Sequence, residues 1–600
     1  MNLLFKNNAL PLLLIAAFAM GLYIQTLRFD YALDDTMVIV KNEFTKKGIS
    51  GIPDIFKYES FRGYFGEQKK RLEGDRYRPL SIATFAVEQS LFNSNKAVSH
   101  LFNILLYACT GILLFRVLLF MFYFKKEQQL TAHLAVSEKW YFSIPFIATL
   151  LFIVHPLHTE VVANIKGRDD ILALLGELGA LYFTFKYLRY NKIKYLILSF
   201  AAFLIGIFSK ESAITFLGII PLTVHFFTET PLREKLKITL PLLTATAVYL
   251  FMRLQAIGYL LDEKQVSDLM NNPFYGMTMD EKTATIFYTF LIYLKLLIFP
   301  HPLTHDYYPY QIPKVTWSAW QPLLALLLHI GLGAVILRGW KNKTIWAYGA
   351  AFYLIALSIV SNLFVSVGTF MNERFLYPAS LGFCIVVAYF LNKKLNFTAL
   401  FDAQRGTTQK AVLATFILVI IGFSAITILR LPDWRNNQTL NESAIKNSPN
   451  SARANCFYAI SMWENKYTQL PIEVSENQKR TILDSMTFYL NKSVKILPNY
   501  GAAHRMRVYV AAEYHKMDGD YAALLKIFEE SNLTGVYQPF VIDYLDSLME
   551  QVENHSDAEK LQFYFQKMLE FYKKNYPNTS MPYKYQQYLS DIESKILTLR

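Results

Sequence analysis

Cysteine is scarce, with three in 600 residues. Cys109 and Cys384 fall in apolar runs and Cys456 stands alone, which excludes a disulfide framework and a metal–thiolate site. Charge is scarce too: 18% of residues, where soluble chains carry about 25%. With 53% apolar residues and a mean hydropathy of +0.22, this argues against a wholly soluble enzyme, a disordered chain or a coiled coil. The sequence lacks a GxxxxGK[ST] loop, a GxGxxG following a strand and a GxSxG elbow, so neither a cytosolic nucleotide site nor a hydrolase elbow is visible. An internal inverted repeat and matched interrupted helices are also missing, which speaks against a transporter. What is abundant is aromatic residues, 47 Phe and 39 Tyr, as suits a polytopic membrane protein with wet and dry edges.

A hydrocarbon core about 30 Å thick takes roughly 20 apolar residues per helix. Candidate spans lie near 9–27, 98–124, 142–160, 170–189, 195–209, 212–228, 238–256, 284–300, 320–338, 344–361, 375–391 and 411–430. The first has Lys6 ahead of it and a weak cleavage site at Ala17-Phe18-Ala19. An uncleaved signal-anchor fits better, because the chain runs on into a polar loop and more spans. Basic loops at 125–139, 189–194, 233–237, 338–343 and 393–394 mark the cytoplasmic side. Residues 28–95 and 155–169 then lie outside, as does the tail from Leu431. Twelve full crossings would return that tail to the cytoplasm, so one candidate is re-entrant or interfacial, with 195–209, 212–228 and 284–300 the suspects.

The net charge of +13 is uneven. From Leu431 onward there are 19 Lys and Arg against 20 Asp and Glu, so the excess sits in the short loops of the first 430 residues. The positive-inside bias accounts for it without nucleic acid. Beyond Trp434 the pattern changes to soluble amphipathic helices. Ser448-Pro449-Asn450, Pro498-Asn499-Tyr500 and Asp518-Gly519-Asp520-Tyr521 each introduce one. Helix pairs punctuated by Pro-Asn point to three or four degenerate tetratricopeptide-like repeats, although Pro449 and Pro498 stand farther apart than that family's period. Such repeats present a concave groove, often to peptides; a plain helical bundle is the alternative. The expected domains are 1–430, a membrane bundle with a first outer loop at 28–95, and 431–600, an outer helical domain.

Ionisable residues at membrane depth are expensive, so those beside spans are the site candidates. Asp34 and Asp35 emerge at the end of the first span, where either is placed to act as a general base, a solvated helix end being the plain alternative. Arg78 in the same loop, Arg168 and Arg374 each have the fork of donors that grips a phosphate. His155, His158 and Glu160 form a polar platform at a proline break. Their spacing is not that of a helical zinc motif, so no metal is expected. Lys210-Glu211 and Glu373-Arg374 read either as site residues or as local ion pairs.

These residues carry a resemblance. Asp34-Asp35, Tyr77-Arg78-Pro79-Leu80, His100-Leu101-Phe102-Asn103, His155-Pro156-Leu157-His158-Thr159-Glu160 with Gly167-Arg168, Lys210-Glu211 and Glu373-Arg374-Phe375-Leu376-Tyr377-Pro378 occur in that order. The chain resembles the transmembrane and tetratricopeptide-repeat O-mannosyltransferases and their bacterial relatives, which are GT-C glycosyltransferases. With the 11–13 spans that the apolar runs give, the resemblance implies an all-α GT-C helical bundle followed by a repeat-like domain, with the active site outside. It implies a polyprenyl-phosphate-linked sugar as donor, mannose-like, and a hydroxyl acceptor, Ser or Thr of an exported polypeptide received by the repeat domain. Asp34 or Asp35 would be the base, with Asp34, nearer the membrane, favoured. Arg78, Arg168, Lys210 and Arg374 would hold the donor phosphate, and His155, His158, Glu160, Glu211 and Glu373 would orient the sugar. Transfer would invert the anomeric centre, with no cofactor and no metal. The expected location is the bacterial inner membrane with the C-terminal domain outside, or alternatively the endoplasmic reticulum membrane. A lipid or glycan acceptor and a non-catalytic membrane-anchored repeat scaffold are the competing readings.

Overall fold

The computed structural model describes residues 9–66, 76–127, 140–259, 268–395, 406–471 and 473–532, together with positions 544, 566, 590 and 594. Among the described residues there are helices and no strands. Contacts divide the chain into two compact units. One comprises residues up to Tyr307 together with Ile312–Ser443, and the other Tyr308–Gln311 with Ala444 onward.

In the first unit α1 (Ala9–Tyr23) leads into a long connection, whose short helical turns end at α2 (Pro79–Phe92). There follow α3 (Lys96–Glu127), α4 (Ile144–Val154), α5 (Thr159–Ala163), α6 (Arg168–Tyr190), α7 (Lys194–Ser209), α8 (Phe216–Phe227) and α9 (Leu232–Ile257). The bundle continues with α10 (Met279–Ile298), α11 (Trp320–Trp340), α12 (Ile345–Ser358), α13 (Leu376–Leu395) and α14 (Gly406–Arg430). Each of the twelve apolar runs lies on helix. Among the described residues seven helices are long and apolar enough to cross a membrane, or eight if a bent pair counts as one span. The expected 11–13 spans counted apolar runs without measuring them. Helices α7, α8 and α12 have 16, 12 and 14 residues, about 24, 18 and 21 Å of rise against a core of about 30 Å.

The bent pair is α4 and the segment Pro156–Ala163, which meet at 53°. Its cause is local. His155 precedes a proline and takes an extended conformation, φ −66° and ψ 122°, so α4 stops there. Elsewhere small residues let backbones close together, the main adhesive between helices that share an apolar surrounding. Helices α6 and α7 cross at Gly176 and Gly206, where a Cβ on Gly176 would lie 2.6 Å from the Ala202 carbonyl. Helices α12 and α13 cross at Gly349 and Gly382 in the same way. The core around them is continuous and aromatic, with Tyr107, Phe152, Phe203, Tyr348 and Tyr377 fully enclosed.

The boundary between the units falls inside α15 (Asn437–Asn447). The second unit then runs α16 (Ala452–Met462, continued to Tyr467), α17 (Glu476–Ile496), α18 (Gly501–Asp518) and α19 (Tyr521–Asn532). Ser451 caps α16 through the Ala454 amide. Gly519 ends α18 in the left-handed conformation, φ +68°, where glycine alone carries no Cβ penalty. Consecutive helices pack through Leu483, Met486, Leu490, Ala503 and Phe528. Ser493 of α17 donates to the Ala452 carbonyl at 2.7 Å and Tyr467 to Glu513 at 2.7 Å. The segment Tyr308–Gln311 belongs here: Ala452 donates to the Pro309 carbonyl at 2.7 Å, and the Arg453 guanidinium lies 3.5 Å from the Tyr308 ring centre.

Candidate functional site

The two adjacent aspartates do different things. Leu33 holds a left-handed conformation, φ +54°, costly for a branched side chain, and its amide donates to Asn437 Oδ1 at 2.7 Å. That turn sends Asp35 inward and Asp34 outward. Asp35 is 1% exposed, and both its oxygens accept from backbone: Oδ2 from Ala32 at 3.0 Å, Oδ1 from Lys166 at 2.7 Å. Burial pushes its carboxyl up to about 7, against the lowering effect of those two amides. Asp35 is therefore a clamp between the outer loop and the turn preceding α6. Asp34 keeps 20% of its side chain exposed and has Lys166 Nζ at 3.5 Å and Arg374 at 3.9 Å.

Charged groups from five distant segments converge around it. Arg78, at the N-terminus of α2, donates to both oxygens of Glu211 and, at 2.6 Å, to Asp169. Lys210 donates to Asp170 at 2.6 Å. Arg374 donates to Glu160 at 3.2 Å, and its Nε has no hydrogen-bond partner. Lys166 is 6% exposed and lies 3.4 Å from Asp169, yet its ammonium makes no hydrogen bond. Sequence neighbours thus part company. Lys210 and Glu211 pair with Asp170 and Arg78 rather than with each other. Glu373 turns away from Arg374 and accepts from the Thr304 amide at 2.5 Å and the Tyr307 hydroxyl at 2.8 Å. A narrow cleft, with about 10 Å³ of enclosed space, lies against this cluster, lined by Ser60, Phe61, Arg76, Arg78, Lys166 and Asp169 among others.

Three expected site residues are elsewhere. Arg168, expected at a donor phosphate, is 1% exposed. It donates to Asn103 at 2.8 Å, Thr84 at 3.1 Å, the Ser99 carbonyl at 2.9 Å and Glu88, with its guanidinium 4.4 Å from the Phe85 ring centre. Every edge of the fork is closed by protein, so Arg168 braces α2, α3 and α6. His155 and His158, expected to orient a sugar, are fully enclosed. His155 Nδ1 accepts from the Leu157 amide while Nε2 faces the Leu297 carbonyl at 3.1 Å, which fixes the proton on Nε2. His158 sits between the Tyr107 and Ser380 hydroxyls, 3.0 Å from each, with Phe152 and Tyr377 against its ring. The polar break that looked like a platform is the packed corner between α4 and α5.

Sequence reasoning passed over Lys166, Asp169, Asp170 and Arg76 as site residues. A signal for the first two was present: they stand i, i+3 at a helix start, a spacing that puts side chains on one face. No group of three or more His, Cys, Asp or Glu among the described residues is arranged to hold a metal ion.

Below the cluster is an apolar groove of about 930 Å³, counting its open side, between α10, α11, α12 and α13. Leu297, Leu332, Trp346, Tyr353, Phe383 and Phe390 are among its walls. The Gly349–Gly382 crossing forms part of it. From Leu376, next to Arg374, to Gly382 is about 9 Å along α13.

No protein-family profile matches the chain. A Caenorhabditis elegans protein named as a protein O-mannosyl-transferase is 26% identical over 450 residues, covering 74% of this chain and 58% of that protein. The human protein O-mannosyl-transferase TMTC4 is 25% identical over 490 residues, 74% of this chain and 62% of that one. The human protein O-mannosyl-transferase TMTC3 is 25% identical over 483 residues, 74% of this chain and 48% of that one. The chain thus spans roughly half to three-fifths of the length of these curated relatives.

Proposed function

We propose that the protein is a membrane-embedded glycosyltransferase of GT-C type that moves a mannose-like sugar from a polyprenyl-phosphate donor to a hydroxyl acceptor, Ser or Thr of an exported polypeptide. The observation that carries this reading is Asp34, a partly exposed carboxylate with two cations, Lys166 and Arg374, within 4 Å of its Oδ2. The names of the relatives supply the reaction class.

In this reading Asp34 accepts the proton of the acceptor hydroxyl as its oxygen bonds to C1 of the sugar. The C1–O bond to phosphate breaks, its electron pair stays on the phosphate oxygen, and polyprenyl phosphate departs. One displacement inverts C1. Base and leaving group must then stand on opposite faces of the sugar, as the carboxyls of inverting glycosidases do at roughly 6.5–9.5 Å. Arg374, 3.9 Å from Asp34, donating to a phosphate oxygen at about 2.8 Å would allow that oxygen to stand about 6.7 Å from the base. The apolar groove along α13 takes the tail, and the outer helical unit receives the polypeptide. No cofactor is called on in this scheme.

The test is purified protein in nanodiscs, supplied with polyprenyl-phosphate mannose and an exported-protein extract, with products read by mass spectrometry. Mannosylated polypeptide made by the wild type and absent with Asp34→Asn is the expected result. Equal labelling by both proteins would refute the assignment of the base. Labelled lipid or glycan in place of polypeptide would move the acceptor class.

A further inference from the structure

Lys166 and Arg374 stand within 4 Å of Asp34, and Arg78 and Lys210 pair with carboxylates of the same cluster, so nearness does not tell which of them meets a ligand. Their hydrogen-bonding does. Arg78 is bound by Glu211 at two points and by Asp169 at a third. Lys210 is joined to Asp170 at 2.6 Å. Arg374 has one hydrogen bond, to Glu160. Lys166 alone of these has an ammonium that makes none, although its side chain is 94% buried, as its 6% exposure implies. An ammonium carries three donors, and leaving them unmatched away from water costs several kcal/mol. Its carboxylate neighbours, Asp34 at 3.5 Å and Asp169 at 3.4 Å, are at ion-pair distance and not at the 2.7–2.9 Å of a charge-assisted bond.

We infer that Lys166 is the principal ligand of the donor's phosphodiester, the group that leaves as polyprenyl phosphate, at the mouth of the cleft it lines with Arg76 and Arg78, with Arg374 as the second contact. This rests on the transferase reading above. The cleft supports it from a second direction, since Arg76, Arg78 and Lys166 line it against one carboxylate, Asp169. A phosphate oxygen about 2.8 Å from Lys166 stands at most about 6.3 Å from Asp34, because the Lys166–Asp34 separation is 3.5 Å; this is just short of the two-sided spacing, so Lys166 takes a near oxygen of the phosphate and Arg374 the far one. From the flank Lys166 neutralises the charge that develops on the phosphate as C1–O breaks. Asp35 is the positioning residue: by accepting from the Lys166 amide it fixes where that side chain starts.

The experiment measures binding of undecaprenyl phosphate, and separately of undecaprenol, to the full chain in phosphatidylcholine nanodiscs. Loss of a charge-assisted hydrogen bond is worth about tenfold to a hundredfold in affinity. The Lys166→Met protein should lose about that much for undecaprenyl phosphate and nothing for undecaprenol, while Lys166→Arg should bind the phosphate lipid close to wild type. The alcohol control separates a lost ligand from a collapsed fold, and Lys166→Gln, which keeps the length and polarity, gives a second loss-of-charge variant. Unchanged preference for phosphate in both neutral variants would overturn the inference alone. A wild type that does not distinguish phosphate from alcohol would overturn the donor reading and this inference with it. Displacement of the lipid by inorganic phosphate at the lipid's own concentration would overturn the lipid-borne source.

Discussion

Arg168 provides the sharpest test, because its sequence setting and its structural setting demand opposite outcomes. Replacing it with Met removes four hydrogen bonds and leaves Glu88 buried beside Ser99 with no counter-charge. Breaking one side of a buried ion pair costs about 3–5 kcal/mol, mostly the price of the stranded charge. Asn103 Oδ1 and the Ser99 carbonyl lose partners too, about 1–3 kcal/mol each when unsatisfied, although the terms do not add. Glu88→Gln alone keeps the Ser99 contact and costs less. The double variant Arg168→Met with Glu88→Gln carries no stranded charge, so it should recover a large part of the loss, with a coupling of about 2 kcal/mol or more. Thermal unfolding of the four proteins in nanodiscs gives the cycle, and undecaprenyl phosphate binding on the folded double variant gives the control. A single variant as stable as wild type that has lost phosphate affinity would refute the brace and restore Arg168 as a ligand.

Asp34→Asn should lower transfer by about 10²–10⁴-fold, the range of general-base catalysis, while leaving polyprenyl-phosphate binding intact; the two are read by turnover and by lipid titration. Asp35→Asn should instead destabilise, since an amide has one oxygen for two backbone donors; about 1–3 kcal/mol is expected, read as a lowered unfolding temperature. Asp35 also sets a pH slope. Its folded value is about 7 and its ordinary value 3.8, so the native state holds a proton that the unfolded chain has lost between those limits. Stability from this group is therefore full below about pH 4 and falls as pH rises to about 7, by up to about 4 kcal/mol, and Asp35→Asn should flatten that part of a pH–stability curve. At the α12–α13 crossing a Cβ on Gly382 would come 2.5 Å from the Gly349 carbonyl and 3.2 Å from the Tyr353 amide. Gly382→Ala should push the helices apart at a cost of about 1–3 kcal/mol and weaken lipid binding through the groove wall, with undecaprenol and undecaprenyl phosphate affected alike.

Much of the helical layout was legible because it is local. Apolar runs, Pro156 after α4, and the breaks at Pro449, Pro498 and Gly519 all act over a few residues. The span count was not, because a run reads as apolar whether it rises 18 Å or 30 Å, and short helices hide inside long hydrophobic stretches. The site was half legible. Asp34 and Arg374 were singled out and do meet, but nothing in the chain near position 34 says that a residue near 374 will be its neighbour. At the histidines the letters left the role open for a physical reason. A polar cluster at a helix break looks the same in sequence whether its groups face a ligand or satisfy one another, and at His155 and His158 backbone carbonyl, amide and hydroxyl partners had already been supplied from inside. Lys166 was missed for the converse reason, since an unmatched ammonium is a property of its surroundings and has no signature in the letters.

One turn at the start of α6 ties the outer rim together: Lys166 beside Asp34, Arg168 on Glu88, Asp169 on Arg78, Asp170 on Lys210, with Glu160 just upstream on Arg374. Ribosomes deliver these partners at very different times. Glu160 emerges 214 positions before Arg374, so while the chain is being inserted its carboxylate has to wait in a protonated or watery state until the late cation arrives. A product cut short before α13 would carry that waiting acid permanently. Closure of the rim therefore waits for position 374, with α14 and the helices of the second unit still to be made.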